Sequence, residues 1–370
     1  MKPIRILMVG WGWPPKIEGG LDTHVSNLVL NFSKGTEVSL YLPKENTPEI
    51  SRHNIRFNPV DVETRHSTIE SLLSAVKRYN SIISETVATP DLIHIHDWLG
   101  VEAGINLRKK LKIPLVMTVH SLEYMRSAGI HHPKSRIADI EKKGIANADI
   151  IITVSSFMKD KIIENYSISP DKIKIIPNSS TLSTGTSPAE REKGLVLYCG
   201  RLTGQKGVEY LFLAAKDVIK VKRYAKFVII GKGHIEKQLY NLAELLDIKD
   251  HVHFKGFIPA ERICQYYKKA EVVVIPSVYE PFGITVLDAL EAGAPVIMTK
   301  NAGIGENLKD KIHVLKVPER NSKSLADAII SLLDNDGLKK RLSENGKEAS
   351  RKYCWKNIAA NTEDIYRNLV

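Results

Sequence analysis

Cysteine is scarce in this sequence: 370 residues hold three, Cys199, Cys264 and Cys354. They are scattered and odd in number, so they build neither a disulfide framework nor a cysteine metal site. A reducing, cytoplasmic setting is the expectation. Long hydrophobic runs are missing too. No stretch approaches the about 18 consecutive apolar residues of a membrane-spanning helix. The apolar run Ile4–Val9 is too short for a secretory leader, and Trp11-Gly12-Trp13-Pro14-Pro15 is no cleavage site. It reads as a buried first strand.

Acidic charge is in deficit, with 42 acidic against 53 basic residues and a net charge of +11. That balance favours anionic partners: a phosphorylated small substrate, an anionic membrane surface or nucleic acid. The lysines are dispersed, and no helix-turn-helix, zinc-finger or RNP motif occurs, so nucleic acid is not expected. No convincing Asp-x-Asp metal block is found. Asp334-Asn335-Asp336 falls in a polar turn and reads as a helix boundary. No metal and no cofactor are assigned.

Short Ile/Val-rich runs alternate with amphipathic stretches along the whole chain. In the first half, Ile4–Val9, Glu37–Leu42, Leu92–His96, Leu115–Val119, Ile150–Val154 and Ile173–Ile176 read as strands. Their nearly continuous apolar character suits parallel strands covered on both faces. His24–Ser33 and Thr68–Glu85 have helical periodicity. The pattern stops in a small, polar segment from Ser179 to Pro188, then restarts. Leu195–Cys199, Ala225–Ile230, His251–Phe254, Val272–Ile275, Pro295–Met298 and His313–Val317 are the later strands. The fold class is therefore α/β, two doubly wound halves joined by a linker, and a cleft between such domains is a common ligand site. The expected boundaries are 1–178 for the first domain, 179–193 for the linker and 194–353 for the second domain.

Three blocks could carry chemistry. Gly19-Gly20 follows the first strand and opens a helix, where glycine lets backbone N–H groups approach a phosphate or a sugar. An ordinary glycine turn would look the same. Gly200-Arg201-Leu202-Thr203-Gly204-Gln205-Lys206-Gly207 again joins a strand to a helix. Arg201 can fork two donors onto phosphate oxygens and Lys206 adds a point charge; the bland alternative is a solvated basic turn. In the third block, Glu280-Pro281-Phe282-Gly283-Ile284 precedes a helix that carries Asp288 on its second turn. Unpaired N–H groups at that helix start could bind a pyrophosphate, and both carboxylates could accept from sugar hydroxyls.

The Glu280-Pro281-Phe282-Gly283 block, with an acid eight positions after Glu280, resembles the E-x7-E signature of the family-4 retaining glycosyltransferases. Arg201…Lys206 resembles their donor-phosphate loop, and Asn301-Ala302-Gly303-Ile304-Gly305-Glu306 their following glycine loop. Cys354-Trp355-Lys356-Asn357-Ile358-Ala359 resembles their closing helix, so 354–370 should complete the N-terminal domain. His94-Ile95-His96-Asp97-Trp98 and the block from Thr118 to Ser127 are similar to the glycogen-synthase-like branch.

The resemblance implies a GT-B fold, two Rossmann-like doubly wound domains facing each other across a cleft, with 1–178 the acceptor-side and 194–353 the donor domain. It also implies metal-independent, retaining transfer of a hexose, with glucose the expected sugar and UDP or ADP the nucleotide. It implies that His120 contacts the donor sugar and that Glu280, Arg201 and Lys206 join it in catalysis. Gly19, Gly20, Phe257, Ile258, Phe282, Gly283, Ile284 and Asp288 are then donor-binding. Asp97, Glu123 and Arg126 are assigned to the acceptor side. His94 and His96 read as strand-end histidines bonded locally, with metal binding by His94, His96 and His120 the open alternative, for which the sequence argues no second shell.

Three departures matter. Asp288 replaces a glutamate. Ile17 stands where glucan synthases carry lysine, and Pro177-Asn178-Ser179 replaces P-N-G. They weigh on the acceptor. A glucan is the first reading, a lipid-linked or small soluble acceptor the second, with membrane docking through the positive charge. A nucleotide-sugar-binding regulator without catalysis is the reading from another class. Oligomeric state is not legible.

Overall fold

The computed structural model describes residues 2–17, 19–49, 54–126, 136–182 and 190–370. Glu18, Ser127 and residues 183–189 of the expected linker lie outside the described residues. The chain divides into two compact units. The first is Met1–Tyr124, His131–Asn178 and Cys354–Val370; the second is Met125–Ile130 and Ser179–Tyr353.

Among the described residues the first unit holds seven strands: β1 (Ile4–Val9), β2 (Thr36–Pro43), β3 (Ile55–Val60), β4 (Leu92–His96), β5 (Leu115–Val119), β6 (Ile150–Thr153) and β7 (Ile173–Ile175). Every pairing is parallel, in the order β3-β2-β1-β4-β5-β6-β7. Sequence order reverses at β1/β4, the point where open sheets of this kind leave a crevice at their carboxyl ends. The helices α1 (Gly20–Leu30), α2 (Ile69–Ser84), α3 (Val101–Leu111), α4 (Glu123–Arg126), α5 (Arg136–Asn147) and α6 (Ser156–Tyr166) follow in alternation with the strands. Strands β4 and β5 are buried along their whole length, as two helical layers require.

Strand β3 has no counterpart among the expected strands. Its sequence, Ile-Arg-Phe-Asn-Pro-Val, mixes exposed polar groups with a proline. It lies at the sheet edge, where one side of the backbone has no ladder to satisfy and proline is tolerated. Helix α1 also begins four residues before the expected His24, because Gly19 in extended backbone (φ −179°) supplies the N-cap position.

The second unit repeats the plan with, among the described residues, six parallel strands: β8 (Leu195–Cys199), β9 (Lys226–Ile230), β10 (Val252–Gly256), β11 (Val272–Ile275), β12 (Val296–Thr299) and β13 (Leu315–Val317). Their order is β10-β9-β8-β11-β12-β13, so the reversal falls at β8/β11. Its helices are α7 (Val208–Val221), α8 (Glu236–Leu245), α9 (Ala260–Lys269), α10 (Ile284–Glu291), α11 (Ser322–Asp334) and α12 (Asp336–Ser350). Asn335 separates the last two and accepts from the N–H of Leu338, an ordinary N-cap.

The last helix, α13 (Trp355–Arg367), belongs to the first unit and packs on α1. Its buried Glu363 accepts from the N–H and hydroxyl of Ser33 and from the hydroxyl of Thr36. No helix among the described residues is long and apolar enough to cross a membrane.

Candidate functional site

The reversal in the second unit places the turns after β8 and β11 side by side. Those turns are the basic glycine block and the Glu280 block. Gly207 has φ +63°, and a Cβ there would lie 2.2 Å from the Pro276 carbonyl oxygen. Only glycine lets the basic turn press this closely on the exit of β11. The N–H of Val278 then donates to the Gln205 carbonyl at 2.9 Å.

This contact brings together two side chains 74 positions apart. Lys206 Nζ donates to Glu280 Oε2 at 2.6 Å, and Ser277 Oγ reaches the same oxygen at 3.2 Å. The side chains of Lys206 and Glu280 are 15% and 9% exposed, so the pair is nearly dry. Coulomb attraction there is weakly screened and the geometry is tightly held. An ammonium has three donors, so Lys206 can hold Glu280 and still offer hydrogens to another acceptor. Arg201 is exposed, while its carbonyl oxygen accepts from the Tyr198 hydroxyl at 2.8 Å. The turn is thus anchored by its backbone and its guanidinium remains at the surface.

The glycine loop after β12 closes the third side. Gly303 N–H donates to the Glu280 carbonyl at 2.9 Å and Ile304 N–H to the Phe282 carbonyl at 2.7 Å. These bonds fix the path of residues 280–282 into α10. Gly283 caps that helix with φ +114°, a conformation that strains any other residue. The backbone N–H groups of Ile284 and Thr285 make no hydrogen bond among the described residues. They are the free donors of a helix start, with the positive end of its dipole behind them.

Two side chains expected to bind the donor are buried. Phe282 is buried, its ring edge-on to Tyr353 with centroids 6.0 Å apart, so it anchors the loop rather than facing outward. Asp288 is buried too. Its Oδ1 accepts from Ser180 Oγ and from the Thr181 N–H, both at 2.8 Å. Burial pushes its carboxyl up to about 6, against the hydrogen bonds from Thr181 and Ser180, which pull it down. The shorter aspartate is engaged with the segment that follows Asn178. Ile258 is also buried, whereas Phe257, beside it, is 63% exposed.

In the first unit, polar chemistry gathers at the carboxyl ends of β4 and β5. His120 is buried and meets His96, Nε2 to Nδ1, at 3.0 Å. His24, from α1, packs edge-on to His120 with centroids 4.6 Å apart, and its Nδ1 is 2.6 Å from Asn178 Oδ1. Desolvation lowers His24 and His120 to about 3, and repulsion from His120 adds to the shift at His24. Desolvation pushes His94 and His96 well below the ordinary imidazole range. All four rings are neutral at physiological pH.

His94 is satisfied at both nitrogens, by the Tyr366 hydroxyl at 2.6 Å and the Thr118 hydroxyl at 2.7 Å. His96 is not. Its Nε2 is buried with no hydrogen-bond partner, which costs about 1–3 kcal/mol when nothing else compensates.

Asp97 holds the neighbouring turn. It sits at φ +49°, and its Oδ1 accepts the His120 N–H at 2.7 Å. The Glu123 N–H is bound to both oxygens of buried Glu141 at 3.0 Å, and the side chains of Glu123 and Arg126 are half-buried. Gly19 accepts the Thr23 N–H at 3.2 Å, and Gly20 opens α1.

Residues 18–180 match the family described as Glycosyltransferase Family 4, and residues 184–349 match Glycosyl transferases group 1. An uncharacterized glycosyltransferase of Methanocaldococcus jannaschii is 31% identical, over 98% of this chain and 98% of its own length. The chain belongs to the family-4 glycosyltransferases. A glycogen synthase of Mycobacterium tuberculosis is 26% identical over 98% of this chain and 94% of its own. Among solved structures, a sucrose-phosphate synthase from Thermosynechococcus elongatus superposes with a TM-score of 0.83 at 23% identity, covering 99% of both chains. The two parallel-sheet, Rossmann-like units are thus the fold of this glycosyltransferase family.

Sequence reasoning missed His24 and Ser277. The signal for His24 was a histidine beside Val25, within the buried stripe that continues to Leu28 and Val29. Ser277 gave none, since its role depends on where Glu280 turns back.

Proposed function

We propose that this glycosyltransferase moves glucose from a UDP or ADP donor to a glucan hydroxyl, with retention of anomeric configuration. The observation that carries the reading is the dry Lys206–Glu280 pair beside a helix start with two free N–H groups. A nucleoside diphosphate leaving group gathers negative charge as it departs, while the sugar becomes oxocarbenium-like. The exposed Arg201 guanidinium, the remaining Lys206 hydrogens and the Ile284 and Thr285 N–H groups meet that charge without a divalent ion at the phosphates. Such preorganised donors are each worth roughly 3–4 kcal/mol in the transition state.

Glu280, held in one rotamer by Lys206 and Ser277, accepts from hydroxyls of the donor sugar. The exposed ring of Phe257 stacks on the base, with Ile258 fixing the backbone next to it. Gly283 keeps the helix start open. Asp288 acts through the Ser180–Thr181 segment rather than by touching the donor. In this reading His120 meets the donor sugar as a neutral imidazole, and Asp97 fixes its backbone. Glu123 and Arg126 serve the acceptor, and Gly19 and Gly20 the donor. The leaving phosphate takes the acceptor proton. A cytoplasmic location fits the free cysteines.

Ile17, in the place of the glucan synthases' lysine, favours a small soluble or lipid-linked acceptor as the second reading. A thermal-shift screen of UDP- and ADP-sugars tests the donor, since ligand at about 100 times its Kd adds about 2.7 kcal/mol. Proton NMR of the first product then reads the anomer, and an inverted product would exclude retention. Acceptors are compared in the same assay. Transfer to inositol phosphates or lipid-linked sugars, and not to glucans, would establish the second reading.

A further inference from the structure

The three histidines His24, His96 and His120 come from α1 and from the ends of β4 and β5. A ring nitrogen from each lies within 4.8 Å of the other two. Imidazole nitrogens suit zinc, cobalt, nickel and copper ions. A tetrahedral zinc ion at about 2.0–2.1 Å from each nitrogen separates its ligands by about 3.3 Å. His96 Nδ1 and His120 Nε2 already stand 3.0 Å apart, in a hydrogen bond that the ion would replace. Modest rotations of the rings would therefore close a three-nitrogen set.

A further observation concerns His24. Asn178 Oδ1 accepts from its Nδ1 at 2.6 Å, which leaves the lone pair on Nε2. That is the outer-sphere hydrogen bond by which metal-binding histidines are usually oriented.

We propose that His24, His96 and His120 bind one divalent cation of the zinc class. Among the described residues no carboxylate or thiolate joins the set, so the fourth position is open to water or to an oxygen ligand. Three neutral ligands leave the full charge of the ion uncompensated, so an anionic oxygen is the favoured fourth ligand. The cation would enter past His120, which is 8% exposed, since His24 and His96 are each 1% exposed. All three ligands belong to the first unit, and the inference does not rest on the transfer reading.

The test uses the whole chain, stripped with a chelator and dialysed. Equilibrium dialysis against Zn2+ should give one ion per chain. Co2+ in its place should give the intense visible bands of a four-coordinate ion. His24→Gln and His96→Gln should abolish that equivalent, and His234→Ala, an exposed histidine elsewhere, should not. Asn178→Ala should weaken uptake about 10- to 100-fold with unchanged stoichiometry. No stoichiometric uptake by the folded chain would overturn the site. So would weak, six-coordinate Co2+ bands, or uptake that His24→Gln leaves intact. Should the histidine variants fail to fold, the Co2+ spectrum of the unaltered chain decides. None of these readouts needs a donor or an acceptor, so they separate this inference from the proposed activity.

Discussion

The two units share one topology but fill the carboxyl ends of their sheets with opposite chemistry. The first places neutral imidazoles there, four rings in mutual contact, closed by hydroxyls from Thr118 and Tyr366 and by the Asn178 amide. The second places charge there, a lysine and a glutamate at 2.6 Å, with an exposed arginine and free N–H groups on the same loops. A charged pair is held by what each partner loses if the other is removed. A neutral network is held by how completely each donor and acceptor is matched. The fold is therefore indifferent to which chemistry it carries, and the loops at each reversal point decide it.

The sharpest way to break the comparison is Lys206→Ala. It strands the Glu280 carboxylate in a nearly dry place and should cost about 3–5 kcal/mol by chemical denaturation. The double change Lys206→Met with Glu280→Gln should recover most of that stability but not turnover. If it recovers turnover as well, the pair is structural only.

Asp288 sharpens the second unit differently. Its folded pKa of about 6 stands above the usual carboxyl value, so its contribution is greatest below about pH 4 and is lost as pH rises through 6. Asp288→Asn removes that dependence. Relative to the natural chain, the variant should gain about 2–3 kcal/mol of stability between pH 4 and pH 7.5. A flat difference across that range would show that the carboxylate is ionised throughout.

In the first unit, Tyr366→Phe removes one hydroxyl from His94 and leaves its Nδ1 unmatched. The expected loss is about 1–3 kcal/mol of stability, with turnover unchanged. A fall in kcat would mean that the loss at His94 is passed through His96 to His120. The smallest effect is that of Gly283→Ala, about 1–2 kcal/mol from the positive φ alone. Its Cβ would also meet Ile304 Cγ2 at 3.0 Å, so KM for the donor should rise through misplacement of the α10 start.

Much of this was legible without coordinates. The buried strands announced themselves because a parallel strand covered on both faces must be apolar along its length, as Val272–Ile275 and Leu115–Val119 are. Strand β3 did not, since an edge strand with Arg56, Asn58 and Pro59 needs only one buried face. The glycine turns and the Glu280 block were legible for a related reason. A turn that needs a positive φ, as at Gly207 and Gly283, restricts its residue type locally.

Sequence alone therefore determined the two-unit α/β class, the strands of its interior and the turns able to carry chemistry. Each of these is a local constraint on burial or backbone. Tertiary structure decided which side chains became partners. Lys206 found Glu280 because strand order reverses at β8/β11; Asp288 turned to Ser180 and Thr181 instead of outward. His24 joined His96 and His120 across a helix and two strand ends. Pairings over 74, 108 and 96 positions leave no periodic trace, because the sheet and not the local chain sets their distance.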